Sequence, residues 1–271
     1  MRPPFDVYAS LLMGASCVAL LVGHVRWGRK RYQRVTQQGA TFFLGHDLMN
    51  AGYGALQPIV RWCVAQGVSP DTVSWASLIP AAAASIACAT GHWGIAAWAL
   101  LASALMDVMD GAIARATGTM SGSGAMLDSV LDRYAETFVF GGIIFYYREH
   151  VTAQLVALAA VLGSFMVTYS TAKAEALRAK PPRGSMKRSD RLTVLILGSA
   201  LAPLSLFWLE PAGSRYAWPV LVAISLIAVL ANASAFQRFG ALARQLSQPT
   251  RPEAGTARAT PMTKKLPIAR V

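Results

Sequence analysis

The chain has 271 residues, of which 54% are hydrophobic and 14% charged, whereas soluble domains carry about 25% charged residues. Its 25 Lys and Arg outnumber its 13 Asp and Glu, which gives a formal net charge of +12. The apolar content excludes a disordered chain, and apolar runs of bilayer length exclude a soluble nucleic-acid binder. No CxxC or Cys/His pairing involves Cys17, Cys63 or Cys88, which excludes a disulfide framework and a structural zinc site.

Apolar segments of membrane-spanning length recur along the chain. Each is close to the roughly 20 residues that a helical span needs. The sequence predicts seven spans, at residues 7–25, 71–90, 93–112, 128–147, 151–172, 192–209 and 217–236. Backbone polar groups in lipid must be satisfied within each segment, and nothing alternates like the strands of a barrel, so the predicted fold is an all-α integral membrane protein.

The first span is predicted to stay uncleaved, because a basic cluster follows it where a signal peptide would have one before it. Residues 1–40 then form a transmembrane anchor with a basic segment. Residues 41–69 are moderately apolar and broken by Gly and Pro, which favours a helix lying in the membrane interface. Residues 70–240 form a six-helix domain, and residues 241–271 a basic, disordered tail.

The positive charges predict the orientation of the spans. All Lys and Arg except Arg2, Arg148 and Arg215 fall on one side of the predicted membrane. By the positive-inside rule that side is cytoplasmic, so the N-terminus lies outside and the C-terminus inside. Most of the excess charge is therefore explained by topology.

The acidic residues cluster where the predicted spans 93–112 and 128–147 meet the cytoplasm. Spacings of three and four place side chains on one face of a helix, and this pattern joins Asp107, Asp110, Asp128, Asp132 and Glu136. A short linker of small residues lets the two helices return antiparallel, so four aspartates should converge just inside the membrane.

Unpaired acids at this depth are costly, and the nearby Arg115 and Arg133 could neutralise two at most. A set of hard oxygen ligands without His or Cys suits Mg²⁺ or Mn²⁺ rather than zinc. The alternative is a salt-bridge cluster without chemistry, which four acids and two arginines fit poorly. The sequence therefore predicts a divalent cation site.

The same stretch carries a recognisable pattern, D-x2-D-G-x2-A-R-x8-G-x3-D-x3-D over residues 107–132. It resembles the signature of the CDP-alcohol phosphatidyltransferase family at every fixed position. Further similarity lies in VSPDTVSW, where Asp71 replaces the usual Asn, and in YSTAKAEAL, GSMKRSDRL and NASAFQR. The resemblance covers about residues 55–240 and leaves the first span and the tail unexplained.

This resemblance implies a six-helix bundle that transfers the phosphatidyl group of CDP-diacylglycerol to an alcohol and releases CMP. It implies two Mg²⁺ or Mn²⁺ ions held by Asp107, Asp110 and Asp128, with Asp132 as a further ligand or as the base for the acceptor hydroxyl. The CDP-lipid would bind at Gly111, Ala114, Gly124 and Arg115, where the three small residues allow close approach and the arginine pairs with a phosphate. It also implies a homodimer in a bacterial inner membrane, with the active site facing the cytoplasm.

The acceptor is predicted from the basic residues between the fifth and sixth spans. Y-x3-K-A-E followed by K-R-x2-R-L resembles members whose acceptor is a phosphate ester, with inositol phosphate ahead of glycerol 3-phosphate. Two arginines three residues apart suit a phosphate physically. The candidate acceptor residues are Lys173, Arg188 and Arg191, although as topology residues they need no further role.

Three other functions stay open from the sequence. A family member could instead join diacylglycerol to a CDP-aminoalcohol, because the nucleotide pattern does not reveal which side of CDP carries the lipid. A membrane prenyltransferase also binds a pyrophosphate through aspartates, but typically carries two separate motifs. A non-enzymatic cation transporter would place its acids near the middle of the bilayer on several helices.

Overall fold

A computed structural model describes residues 4–26, 45–180, 186–211, 214 and 216–247. Within these residues the chain is helical and contains no strand, which confirms the predicted all-α architecture. The helices are α1 (Pro4–Arg26), α2 (Gly45–Ala65), α3 (Pro70–Ala76), α4 (Leu78–Thr90), α5 (Trp93–Thr117), α6 (Gly122–Tyr146), α7 (Val151–Ala176), α8 (Arg188–Trp208) and α9 (Trp218–Ser247). The predicted basic segment after the first span lies outside the described residues, as does the part of the predicted tail from residue 248 onwards. Residues 241–247, which the sequence analysis assigns to a disordered tail, form the end of α9 instead, so that boundary is wrong.

Six segments of the described chain are long and apolar enough to cross a membrane: α1, α3 together with α4, α5, α7, α8 and α9. The sequence predicts a seventh span, which corresponds to α6. That helix has 25 residues and is therefore long enough, but residues 128–136 within it include Asp128, Asp132, Arg133 and Glu136. The structure therefore gives six candidate spans where the sequence predicts seven, because α6 carries the charged groups of the site as well as an apolar outer part.

Local signals set the ends of the helices that carry the site. Ser69 begins α3, because its hydroxyl accepts the backbone N–H of Thr72 at 3.2 Å and Pro70 follows at the first helical position. Gly118 ends α5 in the left-handed conformation, with φ +70°. Ser121 begins α6 by accepting the backbone N–H of Gly124 at 3.0 Å. The small linker thus becomes a tight connection between the two acid-bearing helices.

The core holds these two helices through α4, which packs against both α5 and α6. Its inward face is made of small residues such as Ala84 and Cys88, which are fully buried. Gly142 of α6 lies so close to α4 that a Cβ there would overlap the carbonyl oxygen of Ser85. Such close approach through small residues is the usual way in which membrane helices pack. On the far side, α8 packs against α5 and α9, and α9 against α7.

The additional helix α1 packs against α2, α5 and α8. Its outer end is attached to the start of α5 by polar contacts. His92 Nδ1 lies 3.0 Å from Asp6 Oδ2, and Trp98 Nε1 donates to the carbonyl oxygen of Ala9 at 2.9 Å. Because successive contacts move in the same direction along both helices, α1 and α5 run parallel. The C-terminal end of α1 therefore lies at the same end of the bundle as the aspartates.

Gly94 makes this attachment possible, and its substitution tests it. A Cβ at residue 94 would overlap the carbonyl oxygen of Asp6 and lie 3.1 Å from Ala9 Cβ. Gly94→Ala should therefore destabilise the protein by about 1–3 kcal/mol, the usual cost of overpacking, and lower the midpoint of thermal unfolding in detergent. Gly14→Ala is the control, because a Cβ at residue 14 of α1 meets nothing within 4 Å. It should be neutral or stabilising, since Ala favours a helix over Gly by about 1 kcal/mol. Equal stability of the two variants would contradict the close α1–α5 contact.

Candidate active site

Three aspartates converge where α5 ends and α6 begins. Asp107 and Asp110 project from one face of α5, and Asp128 from the second turn of α6. One carboxylate oxygen from each lies within 4.8 Å of the others. Asp110 is buried, and the other two are half-buried. Three carboxylates at this spacing fit a hard divalent cation, which prefers oxygen ligands.

The fourth predicted ligand, Asp132, adjoins this group without being part of it. Its buried side chain contacts that of Asp107. It also forms an ion pair with Nη2 of Arg188. Asp132 lies one turn further along α6, so its carboxylate is within reach of both the aspartate group and α8.

Arg188 bridges the acids of two helices. Its Nη1 lies 2.9 Å from Asp107 Oδ2 on α5, while Nη2 contacts Asp132 on α6. Asp190 defines the start of α8, because its Oδ2 accepts the backbone N–H of Lys187 at 2.9 Å. Arg188, which is predicted to bind the acceptor, therefore contacts the carboxylates of Asp107 and Asp132 directly.

Ser74 is a site residue that the sequence did not reveal. Its hydroxyl donates to Asp110 Oδ2 at 2.6 Å in a buried contact, and Asp110 Oδ1 accepts the backbone N–H of Gly111. Both oxygens of this ligand are thus oriented by neighbours. The segment VSPDTVSW contains Ser74, but no local pattern connects it to an aspartate 36 positions away.

A second cluster lies one turn deeper, around Glu136. Its Oε2 accepts from Arg133 Nη1 at 2.9 Å and its Oε1 from Arg191 Nε at 3.1 Å. The side chain of Arg191 is only 2% exposed. Glu136, Arg188 and Arg191 line a cavity of about 40 Å³ together with apolar residues and Ser103.

The remaining basic candidates differ in their surroundings. Arg238, which belongs to the segment NASAFQR, donates from Nη1 to Thr171 Oγ1 at 2.9 Å. Its charge lies close enough to Arg191 for the two to repel each other. The segment that contains Arg238 resembles the family, but no local pattern in the sequence points to Arg238 itself. Lys173, which was predicted to bind the acceptor, is exposed in the last turn of α7.

The candidate nucleotide residues lie at the same end of the bundle. Gly111 and Ala114 are half-buried in the last turns of α5, and Arg115 is exposed beside them. Gly124 lies in the first turn of α6. A Cβ at this position would be 3.2 Å from Ser121 Oγ and 3.7 Å from Asp71 Oδ1. Asp71, at the start of α3, therefore faces the glycine.

The chain is similar in sequence to known phospholipid synthases. A phosphatidylinositol phosphate synthase of Mycobacteroides abscessus is 31% identical over 196 residues, which cover 68% of this chain and 82% of that protein. An archaetidylinositol phosphate synthase of Methanothermobacter thermautotrophicus is 32% identical over 142 residues, covering 52% of this chain and 71% of the other.

Solved structures of the phosphatidylinositol phosphate synthase of Mycobacterium tuberculosis share the fold. The structure with CDP-DAG bound matches with a TM-score of 0.60 and 26% identity, covering 68% of this chain and 92% of that one. The structure in complex with manganese and citrate matches with the same TM-score and identity, covering 68% and 87%. Residues 68–231 match the family model of the CDP-alcohol phosphatidyltransferases. The chain thus belongs to the CDP-alcohol phosphatidyltransferase family, whose members are transferases of phospholipid biosynthesis.

Proposed function

We propose that this enzyme transfers the phosphatidyl group of CDP-diacylglycerol to a phosphorylated polyol and releases CMP, with inositol phosphate preferred over glycerol 3-phosphate. The observation that carries the proposal is the buried Arg191, which pairs with Glu136 one turn of α6 beyond Asp132. A phosphate bound there would bring the acceptor hydroxyl towards the acids. The names of the similar synthases support the same acceptor.

A divalent cation fits the aspartate group by the chemistry of its donors. Asp107, Asp110 and Asp128 offer only carboxylate oxygens, and one oxygen from each lies within 4.8 Å of the others. We propose Mg²⁺ or Mn²⁺, in two ions, with Asp132 as a further ligand or as the base. When bound, the ions polarise the pyrophosphate and neutralise charge on the leaving CMP. The manganese complex of the similar synthase supports this choice.

The nucleotide would lie across the α5–α6 connection. Gly111, Ala114 and Gly124 present little side-chain bulk there, so the CDP group can approach the backbone. Arg115 is exposed beside them, and its planar fork would suit a phosphate better than a Lys would. Arg188, Arg191 and Lys173 would hold the acceptor on the other side of the acids.

The chain's own residues would perform the transfer. A carboxylate oxygen of Asp132 takes the proton of the acceptor hydroxyl. The hydroxyl oxygen then forms a bond to the phosphorus that bears diacylglycerol, and the bond from that phosphorus to the CMP oxygen breaks with its electron pair leaving on CMP. Arg188 orients Asp132 through its Nη2 contact.

The site is proposed to face the cytoplasm of a bacterial cell, with the protein in the inner membrane as a homodimer. Lys173, Arg178, Lys180 and Lys187 lie at the same end of the helices as the aspartates, while Arg148 lies at the opposite end. The positive-inside rule supports this orientation. The bacterial origin of similar synthases supports the location.

The acceptor is tested with the purified protein, CDP-diacylglycerol and Mg²⁺ or Mn²⁺. Separate reactions receive inositol phosphate, glycerol 3-phosphate, inositol or serine, and one receives diacylglycerol with a CDP-aminoalcohol. We expect CMP release and a phosphatidylinositol phosphate product, identified by mass spectrometry. Turnover restricted to acceptors without a phosphate would overturn the proposed acceptor class, and turnover only with diacylglycerol would reverse the role of the CDP-linked substrate.

The role of Asp132 is tested by Asp132→Asn, which keeps the size of the side chain but not a base. Loss of a general base lowers the rate by about 100-fold or more. CDP binding, measured by calorimetry, should be retained. Asp47→Asn is the control, since Asp47 is an exposed acid of α2, and it should leave turnover unchanged. Normal turnover by Asp132→Asn would exclude the proposed base.

The contribution of Ser74 is tested by Ser74→Ala. Removing its hydroxyl deprives Asp110 of a 2.6 Å hydrogen bond. Loss of such an outer contact typically weakens metal affinity by about 10–100-fold, and we expect this shift in the Mn²⁺ concentration for half-maximal activity. Ser234→Ala is a matched control, because the Ser234 hydroxyl is also buried but has no hydrogen-bond partner in the part of the chain that the structure describes. An equal metal requirement in both variants would argue against the orienting role.

A further inference from the structure

Glu136 has no role in the proposed transfer, yet it is the centre of the second charged cluster. It is 11% exposed and follows Asp132 by one turn of α6. Each of its carboxylate oxygens accepts from a different arginine, Oε2 from Arg133 at 2.9 Å and Oε1 from Arg191 at 3.1 Å. Its negative charge therefore lies between two guanidinium groups from different helices.

The ion pair with Glu136 uses only one of the N–H donors of Arg191. A guanidinium has five N–H donors in a fixed planar fork, and Glu136 accepts only from Nε. Among the described residues, both Nη atoms of Arg191 are buried and have no hydrogen-bond partner. Leaving buried donors unpaired costs free energy. The group is therefore built to receive an anion with two oxygens, such as a phosphate.

The contact with Nε also determines where those two donors point. The guanidinium is planar, so a hydrogen bond at Nε restricts rotation of the whole fork. Arg191 is also surrounded by other positive groups, since Arg133 and Arg238 are both close enough to repel it. The charge of Glu136 offsets this repulsion and allows the arginines to remain close together.

We propose that Glu136 is a positioning residue, which holds the Arg191 fork so that its two Nη atoms face the phosphate of the acceptor. This inference rests on the proposed function, in which the acceptor carries a phosphate. Glu136 itself contacts neither the substrate nor the metal. It acts on specificity through Arg191 and distinguishes a phosphorylated acceptor from a neutral alcohol.

A purely structural ion pair is the competing explanation. Breaking a buried pair lowers stability whatever its role, because one charge is left without its partner. The test must therefore use a quantity that folding alone does not change. The KM for the acceptor, compared with kcat and with the KM for CDP-diacylglycerol, is such a quantity.

Glu136→Gln retains the shape of the side chain but removes its charge. With inositol phosphate as acceptor, we expect the acceptor KM to rise about tenfold, equivalent to about 1.4 kcal/mol, with kcat and the KM for CDP-diacylglycerol unchanged. Glu149→Gln is a matched control, because it breaks an exposed pair in which Arg148 Nη2 lies 3.7 Å from Glu149 Oε1. It should change none of these constants.

Arg191→Ala and the double variant Glu136→Gln/Arg191→Ala complete the cycle. If Glu136 acts through Arg191, the double variant should have the acceptor KM of Arg191→Ala alone. Independent effects that multiply in the double variant would overturn the inference. Should Glu136→Gln fail to fold, Glu136→Asp is the alternative variant. It keeps the negative charge but shortens the side chain by one methylene, which moves the carboxylate away from Arg191. It should also raise the acceptor KM, and an unchanged value would overturn the proposal.

The proposed function and the positioning role of Glu136 would be contradicted by different results. If the unaltered enzyme uses only alcohols without a phosphate, the proposed function is wrong and the role of Glu136 falls with it. If it uses inositol phosphate and Glu136→Gln keeps the same acceptor KM, only the positioning role is wrong. A parallel rise in both KM values would assign Glu136 to general structure and likewise overturn the inference.

Discussion

Uncompensated negative charge at the end of an apolar bundle is the constraint on which the structure depends. Asp107, Asp110, Asp128 and Asp132 lie together, buried or half-buried, and each ionised group removed from water needs a counter-charge or a hydrogen bond. Arg188 meets part of this need by bridging α5 and α6. A divalent cation would balance the remaining negative charge. The aspartates that require this cation would thereby hold it where it can bind a pyrophosphate.

The rest of the bundle keeps these groups at their positions. Close packing of α4 against α5 and α6 uses small side chains and leaves little room for the helices to shift. Ser74 and the backbone of Gly111 then orient Asp110. Rigid helices and hydrogen-bonded ligands are what a site needs if its reacting groups are to be held in productive geometry. The helix α1 attaches to this scaffold from outside, through polar contacts at the end remote from the acids.

Charge divides the site into two levels. The upper level consists of the aspartates with Arg188, and suits cations and the pyrophosphate that cations accompany. The lower level consists of Glu136 with Arg133 and Arg191, and carries an excess of positive charge inside the bundle. The two levels are one helical turn apart on α6, so that one helix aligns two different chemistries.

The sequence by itself determined the helical membrane fold and the acidic site, because these depend on local properties: apolar length, spacing of three and four along a helix, and a contiguous pattern from Asp107 to Asp132. It also predicted the turn that connects α5 and α6, since Gly118 and Ser121 act on their own neighbours. Only the tertiary structure decided which groups meet across helices. Packing among α3, α5, α6 and α8 makes Ser74 donate to Asp110 and brings Arg188 to two acids. The same packing brings Glu136 to Nε of Arg191, whose Nη atoms have no hydrogen-bond partner among the described residues. Residues this far apart in the chain leave no periodic signal in a single sequence, so their partners are known only when the helices are assembled.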